Sequence, residues 1–289
     1  MSGGCKKIFL SSCIFLNIFF VNNAMSGVAS FDPVYPLKKI ESEAWIYPPK
    51  GALLKAEWLK VWVKDFFKMQ TFLFTPDTLK VLAITVPAYI GTRQMDNCLQ
   101  CCFYKDCCHK NLCQAPKTFY KIVDASVPAL IGLFTALTFF SNDADLRLTS
   151  FVYTEAVISY WIVKNIFKNS NKCDLNLRPK HENFCKDKCY YGGFPSGHAG
   201  EAALAAVLFG LRYGPRWGVP LGIFTAVVFA AGINGNRHYL SQSVAGLGLG
   251  VIYGLAAYAL IESKISCPVD FCATSGPNGY KGLRATYSF

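Results

Sequence analysis

Five apolar blocks of 15 to 19 residues follow one another from residue 122 onward, separated by short polar segments. A helix needs about 20 mainly apolar residues to cross a bilayer, and lipid favours helices because a helix bonds its own backbone groups. The blocks therefore predict an all-α fold, a polytopic membrane helical bundle with about six core helices. They cover residues 122–140, 151–167, 199–213, 217–233 and 244–261.

The segment before these blocks gives weaker signals. Residues 81–91 are apolar but reach only about half the length that a spanning helix needs. Residues 53–67 mix apolar side chains with lysines, which is typical of a basic amphipathic helix on a membrane surface. We therefore expect a lead-in with an interfacial helix over 27–78, a membrane domain over 79–265 and a C-terminal tail over 266–289.

The N-terminus carries a targeting pattern. Lys6 and Lys7 precede an apolar run over 8–21, and small residues follow it. This order predicts a secretory signal peptide over 1–26, with a retained anchor as the alternative. A cleaved peptide, combined with a crossing at 81–91, places the later polar segments in the cytoplasm. A segment that only dips into the bilayer, or a first stretch retained in the reverse orientation, places them outside.

The chain is basic, with a net charge of +11 from 29 Lys and Arg against 18 Asp and Glu. Such a balance is compatible with nucleic acid, anionic lipid or an anionic substrate as partner. The basic residues lie in short loops between apolar blocks, which argues against nucleic acid and favours a role in membrane topology.

Cysteine is abundant, with 13 residues in all, and six of them cluster over 98–113. Thiolates at such short spacings suit a zinc site. The alternative, which we favour if this side of the membrane is extracytoplasmic, is a loop tied by disulfides. The pairing cannot be deduced from the sequence. The clustered cysteines are Cys98, Cys101, Cys102, Cys107, Cys108 and Cys113.

Polar residues stand out at the edges of the apolar blocks. Ser196, Gly197 and His198 lie where a loop becomes a helix, and the free N–H groups and dipole of a helix N-terminus bind anions, phosphate above all. Arg178 precedes this loop, and His238 follows two further blocks. Two spans return a chain to the same membrane face, so that we expect these residues to meet.

Their chemistry fits phosphoester cleavage. The planar guanidinium of Arg178 can clamp a phosphate by paired bonds, and Ser196 and the Gly197 amide can bind its other oxygens. His198 can act as the general acid. His238 can attack phosphorus, provided that its other ring nitrogen has a partner that fixes the tautomer.

The run from Phe194 to Ala199 resembles the central motif of the type 2 phosphatidic acid phosphatases, lipid phosphatases that share a pocket with vanadium haloperoxidases. The resemblance extends from about residue 151 to 261. The first motif of that family is a lysine, six residues and Arg-Pro. Arg178 matches its end, and Lys164 is the preferred lysine over Lys172, because helix position constrains geometry more than loop length does.

The third motif departs from the family in two places. The family arginine falls at Gly232, and the family aspartate falls at Gln242. Arg237 can supply a guanidinium from another direction, and Gln242 can accept a hydrogen bond from His238 but carries no charge.

What the resemblance implies is a membrane enzyme. It implies hydrolysis of a lipid-linked phosphate or pyrophosphate through a phosphohistidine, without metal or cofactor, on the extracytoplasmic face. The same pocket could instead transfer the phosphoryl group to a lipid or sugar hydroxyl. A protein from another class, a catalytically silent scaffold, is the remaining alternative.

Three further features of the apolar blocks carry expectations. Glu201 lies three residues after His198, so that on a helix its carboxylate can hold that ring protonated. Glu155 is an acid inside another predicted span, and such residues are usually functional. Glycines at four-residue spacing predict close helix packing in the last block; they are Gly246, Gly250 and Gly254.

Overall fold

The computed structural model describes residues 56–103, 117–170, 177–179, 192–235, 237–265, 269–275 and 281–287. The predicted signal peptide, the lysine alternative Lys172 and most of the cysteines lie outside these ranges. Within them the chain forms seven α-helices and one pair of strands. These are α1 Ala56–Phe72, α2 Pro76–Phe103, α3 Lys117–Phe140, α4 Ala144–Ser170, α5 Gly197–Tyr213, α6 Pro215–Asn234, α7 Leu240–Ile265, β1 Val269–Ser275 and β2 Lys281–Tyr287.

Three of these helices are long and apolar enough to cross a membrane: Thr118–Phe140, Pro215–Asn234 and Leu240–Ile265. The chain is an integral membrane protein, and the predicted helical bundle is confirmed. The tail adds a feature that the sequence reading did not include, because β1 and β2 pair as an antiparallel ladder from Val269 opposite Tyr287.

Helix α5 is the centre of the bundle, and α7 packs directly against it. A Cβ on Gly250 would clash with the backbone of Gly200, and a Cβ on Gly246 would clash with the carbonyl of Ser196. One turn further along, Gly254 faces Val207 and Leu204 in the same way. The prediction of close helix packing along this glycine stripe is confirmed, since only glycine lets the two backbones approach so far.

The first two helices together follow α7 from end to end, in the opposite direction. Asp65 of α1 pairs with Lys264 at the end of α7. Further along, Thr85 of α2 meets Gly248, and Asp96 bonds to Ser241 at the start of α7.

Helix α2 has 28 residues, so the expected half-length segment over 81–91 was too short. The apolar pattern underestimates this helix because some of its polar side chains, Thr78, Thr85 and Asp96, are buried against the protein. The interfacial position of α1 stays a prediction; Met69 on this helix is fully buried against the bundle.

The polypeptide reverses direction at each turn, so that α5 and α7 begin at the same end of the bundle at which α4 and α6 finish. This end, which we call the near end, holds Lys164, His198 and His238. The opposite, far end holds Arg212 and Lys264. Between them lies an aromatic core in which Phe134 stacks on Phe209 with ring centroids 4.0 Å apart.

Candidate active site

The loop before α5 is fixed by its backbone. The N–H of Ser196 donates to the carbonyl of Gln242 at 3.0 Å, and the carbonyl of Ser196 accepts from the Tyr160 hydroxyl at 2.8 Å. The Ser196 side chain makes no capping bond to the helix. The hydroxyl of Ser196 and the first N–H groups of α5 therefore stay available for an anion, as the sequence predicts.

Lys164 reaches the start of α5 from the end of α4. Its Nζ occupies the space that a side chain on residue 197 would fill, so that a larger residue there would displace the lysine. Lys164 thus lies at the helix N-terminus, as the choice of this lysine over Lys172 anticipates. Glu201 is also close, with Oε1 3.2 Å from the position of a Cβ on Gly197.

Glu201 differs from its expected arrangement. Its Oε1 accepts a bond of 2.7 Å from the indole N–H of Trp161. The carboxylate at ion-pair distance from the His198 ring is that of Asp124 on α3, 4.0 Å from Nδ1. The side chain of Glu201 bonds to α4, and its charge still acts to raise the pKa of His198, ahead of that of Asp124.

His238 lies in the short loop between α6 and α7, 8% exposed. Its Nδ1 is 2.9 Å from the carbonyl oxygen of Gly193. A carbonyl only accepts, so that this bond places the proton on Nδ1 and leaves the lone pair on Nε2. Burial, followed by the positive charges of Arg178 and Lys164, holds the pKa of His238 well below its usual value of 6.5.

Gln242 does not hold His238 in the way that we expected. Its amide donates to the carbonyl of Leu177 at 2.7 Å and accepts from the N–H of Tyr239 at 3.2 Å. The Nδ1 partner of His238 is instead Gly193, which the sequence reading did not single out. Gln242 therefore ties together the loop before Arg178 and the loop of His238.

The two arginines are held differently. Arg178 donates from Nη2 to the carbonyl of Gly192 at 3.1 Å. Arg237 pairs through Nη1 with Oδ2 of Asp124. At the position of the family arginine, a Cβ on Gly232 would meet only the His238 ring, 3.7 Å from Cδ2. The guanidinium of Arg237 thus approaches the site from the side of α3.

Two acids that the sequence analysis missed support these loops. Asp124 contacts Arg237 and His198, and Asp96 accepts from the N–H of Ser241 at 3.0 Å and from its hydroxyl at 2.5 Å. Both are acids inside long helices, the same signal that drew attention to Glu155. Glu155 itself is buried in the middle of α4, where neither carboxylate oxygen has a hydrogen-bond partner among the described residues.

The near end therefore gathers the three predicted cations, with Lys168 beside them, two imidazoles and a helix N-terminus. The two rings are near enough that the charge of His198 acts on the pKa of His238. Among the described residues, no group of three His, Cys, Asp or Glu side chains could hold a metal ion. What the arrangement can bind is an anion with several oxygens, with one imidazole nitrogen free to attack it.

A family model, that of the PAP2 superfamily, matches residues 149–266. We call these residues, which make up less than half of the chain, the PAP2 segment. The PAP2 segment contains Lys164, Arg178, His198 and His238 but neither Asp96 nor Asp124. The resemblance to the type 2 phosphatidic acid phosphatases is thereby confirmed, and at the level of the family it supports a lipid phosphatase.

Among solved structures, the chain is similar to a transmembrane PAP2-type phosphatidylglycerolphosphate phosphatase from Bacillus subtilis. The identity is 14% and the TM-score 0.38, with 71% of this chain and 96% of the other covered. No curated protein matches the sequence at a significant level.

Proposed function

We propose that the protein is an integral-membrane phosphatase that hydrolyses a lipid-linked phosphate monoester or diphosphate through a phosphohistidine on His238. The observation that carries this proposal is the bond between Nδ1 of His238 and the Gly193 carbonyl. It fixes the tautomer with Nε2 unprotonated, which is the form that a nucleophilic histidine needs.

Phosphate binding falls to the cations and the helix terminus. Lys164 and Arg178 place positive charge beside the N-terminus of α5, where the Gly197 N–H and the Ser196 hydroxyl can bond to phosphate oxygens. Arg237 adds a guanidinium at the Asp124 side. These donors are fixed before substrate arrives, so they can stabilise charge that develops in the transition state.

The reaction takes two steps. Nε2 of His238 attacks phosphorus, the bond from phosphorus to the lipid oxygen breaks, and His198 gives its proton to that oxygen. Water then attacks the phosphohistidine and yields a proton to His198, and the bond from phosphorus to Nε2 breaks to release inorganic phosphate. His198 ends protonated and His238 neutral, as both began.

No step of this scheme uses a metal ion, since the charges come from the side chains of the chain. We therefore expect hydrolysis to continue in EDTA. A preparation that loses activity in EDTA and regains it with a divalent cation would contradict this part of the proposal.

We further propose that the site faces the extracytoplasmic side. Helices α1 and α2 together follow the length of α7, so that residue 56 and the site lie at opposite ends of the bundle. An outside site then requires residue 56 to be inside, which fits a retained first apolar stretch rather than a cleaved signal peptide. Helix α2 ends beside the site, and Lys105 follows it in the sequence. Labelling of Lys105 in intact cells by a membrane-impermeant amine reagent therefore tests this orientation.

The decisive experiment measures products from a panel of lipid phosphates and lipid diphosphates, with wild type and His238→Ala in the same detergent. A phosphatase releases inorganic phosphate, and we expect His238→Ala to lose at least about 10⁴-fold in kcat. A phosphotransferase would give a new phospholipid and little phosphate. A silent scaffold would give neither. Either of these results would overturn the proposal.

A further inference from the structure

Asp124 is the acid that joins two elements of the site. It lies on α3, outside the PAP2 segment, and its side chain is 28% exposed. One oxygen pairs with Nη1 of Arg237, and the other lies 4.0 Å from Nδ1 of His198. The carboxylate thus stands between a phosphate-binding cation and the proposed general acid.

The Nδ1 atoms of His198 and His238 therefore face different partners. Nδ1 of His238 faces a neutral carbonyl, which suits a ring that must start unprotonated. Nδ1 of His198 faces a carboxylate, which favours a ring that starts protonated. Environments that separate two titratable groups in this way are the usual mark of an assigned base and acid.

We propose that Asp124 is a positioning residue for phosphoryl transfer, which orients the His198 ring so that it can donate its proton to the leaving oxygen. The proposal rests on the proposed function. In this chain, Gln242 stands where the third motif of the family has an aspartate beside the nucleophile. Asp124 would place a carboxylate beside the general acid instead. The separation of 4.0 Å is longer than a hydrogen bond, and such contacts commonly tighten when substrate binds.

Several charges act on His198 from the helices around it. Burial lowers the pKa of His198, the carboxylates of Glu201 on α5 and Asp124 on α3 raise it, and Lys164 on α4 and Arg237 lower it. Without the charge of Asp124, only Glu201 would offset the effect of Lys164 and Arg237 on His198. The His198 ring would therefore release its proton at a lower pH.

The first test varies the leaving group. Expulsion of an alkoxide from dioctanoyl phosphatidate needs a proton, whereas expulsion of p-nitrophenolate from p-nitrophenyl phosphate does not. We expect Asp124→Asn to lose about 100-fold in kcat/KM on the lipid, the range of general-acid catalysis, and less than about 5-fold on the aryl ester. Asp124→Glu should recover most of the lipid activity. Asp77→Asn, an exposed acid on α2 paired with Lys80, is the matched control and should equal wild type on both substrates.

The second test needs no turnover. The chain has only 4 His, so that NMR titration of histidine-labelled protein can follow His198, assigned with His198→Gln. We expect Asp124→Asn to lower the pKa of His198 by about one, and Asp77→Asn to leave it unchanged.

The outcomes separate the two proposals. If wild type hydrolyses the lipid and Asp124→Asn loses equally on both substrates, or loses nothing, the role of Asp124 is overturned and the proposed function stands. An unchanged pKa of His198 in Asp124→Asn also overturns it. If wild type hydrolyses neither substrate, the proposed function fails and the catalytic role of Asp124 fails with it.

Discussion

The two ends of the bundle are built from the same helices but balance their charges differently. At the far end, Arg212 of α5 donates from Nε to both oxygens of Asp145, at 3.0 and 3.1 Å, and from Nη1 to Glu262 at 3.2 Å. One cation there meets two acids. Such a closed network stabilises the packing of α4, α5 and α7 and leaves the charge of Arg212 fully matched.

At the near end the balance is reversed. Lys164, Arg178 and Arg237, with Lys168 close by, lie near the carboxylates of Asp124 and Glu201, while Asp96 is bonded to Ser241. The comparison teaches that charge in a membrane bundle is structural where it is matched, and marks a binding site where one sign is left in excess. An anionic substrate would complete the near end as Asp145 and Glu262 complete the far end.

Among the variants that test this comparison of the two ends, the largest effect is expected from Arg178→Ala. Loss of this phosphate donor should lower kcat/KM on a lipid phosphate by about 10³-fold, as the removal of one fixed donor does elsewhere. The thermal midpoint in detergent should remain within a few degrees of wild type. Arg178→Lys should not restore activity, because a lysine lacks the planar pair of donors. A variant that unfolds instead would assign Arg178 to the structural class of Arg212.

Asp145→Asn at the far end should lower stability and leave catalysis unchanged. It removes a principal partner of Arg212, whose side chain is only 9% exposed, and breaking such a pair costs about 3 kcal/mol of unfolding free energy. Denaturant or thermal unfolding in detergent measures this loss. In the fraction that stays folded, kcat should equal that of wild type, and a large fall in kcat would end the distinction between the two ends.

A third, smaller effect concerns Arg237, which lies at a different position from the arginine of the family motif. Arg237→Ala should raise KM about 10-fold, about 1.4 kcal/mol of binding, since one guanidinium is lost. Within the described parts of the chain, the nearest atom to a Cβ on Gly232 is in the His238 ring, at 3.7 Å, which leaves space for a side chain. Gly232→Arg in the Arg237→Ala background should therefore recover part of the affinity. No recovery would mean that a guanidinium is useful only on the Asp124 side.

The smallest effect should appear in the pH profile. Because burial and the cations hold the pKa of His238 well below 6.5, the nucleophile is neutral at and below neutral pH. The acid limb of kcat/KM, which reports the free enzyme, should therefore fall well below pH 6.5. Lys164→Met removes one of those cations, so that His238 takes up its proton more readily and this limb should move up by about half a pH unit. A limb that moves down would contradict the placement of Lys164 beside His238.

The sequence predicted those parts of the site that depend on one element. Ser196, Gly197 and His198 follow from a motif at the start of a helix, and Lys164 follows from its position near the end of another. Each needs only local geometry. The bundle itself follows from the length of the apolar blocks, which burial in lipid makes nearly compulsory.

The partners of these residues depend on tertiary contacts, and there the sequence reading failed. Gln242 is four residues after His238, so that a bond between them was the natural expectation, yet the carbonyl of Gly193 takes that place. Helical spacing assigned Glu201 to His198, and its charge does act on that ring, but the spacing gave no sign of Asp124, which approaches from a helix that begins some 80 residues earlier in the sequence. Single-sequence patterns carry no signal for such pairings.

The contact between Gly200 and Gly250 fixes more than a helix crossing. Each proposed catalytic histidine sits within two residues of the start of one of these helices, and the helices touch through bare backbone. The spacing of the two rings is thus set by main-chain atoms, which mutation of neighbouring side chains leaves in place. Substitutions among the surrounding apolar residues can therefore change which lipid tails bind. The distance between the two histidines stays the same.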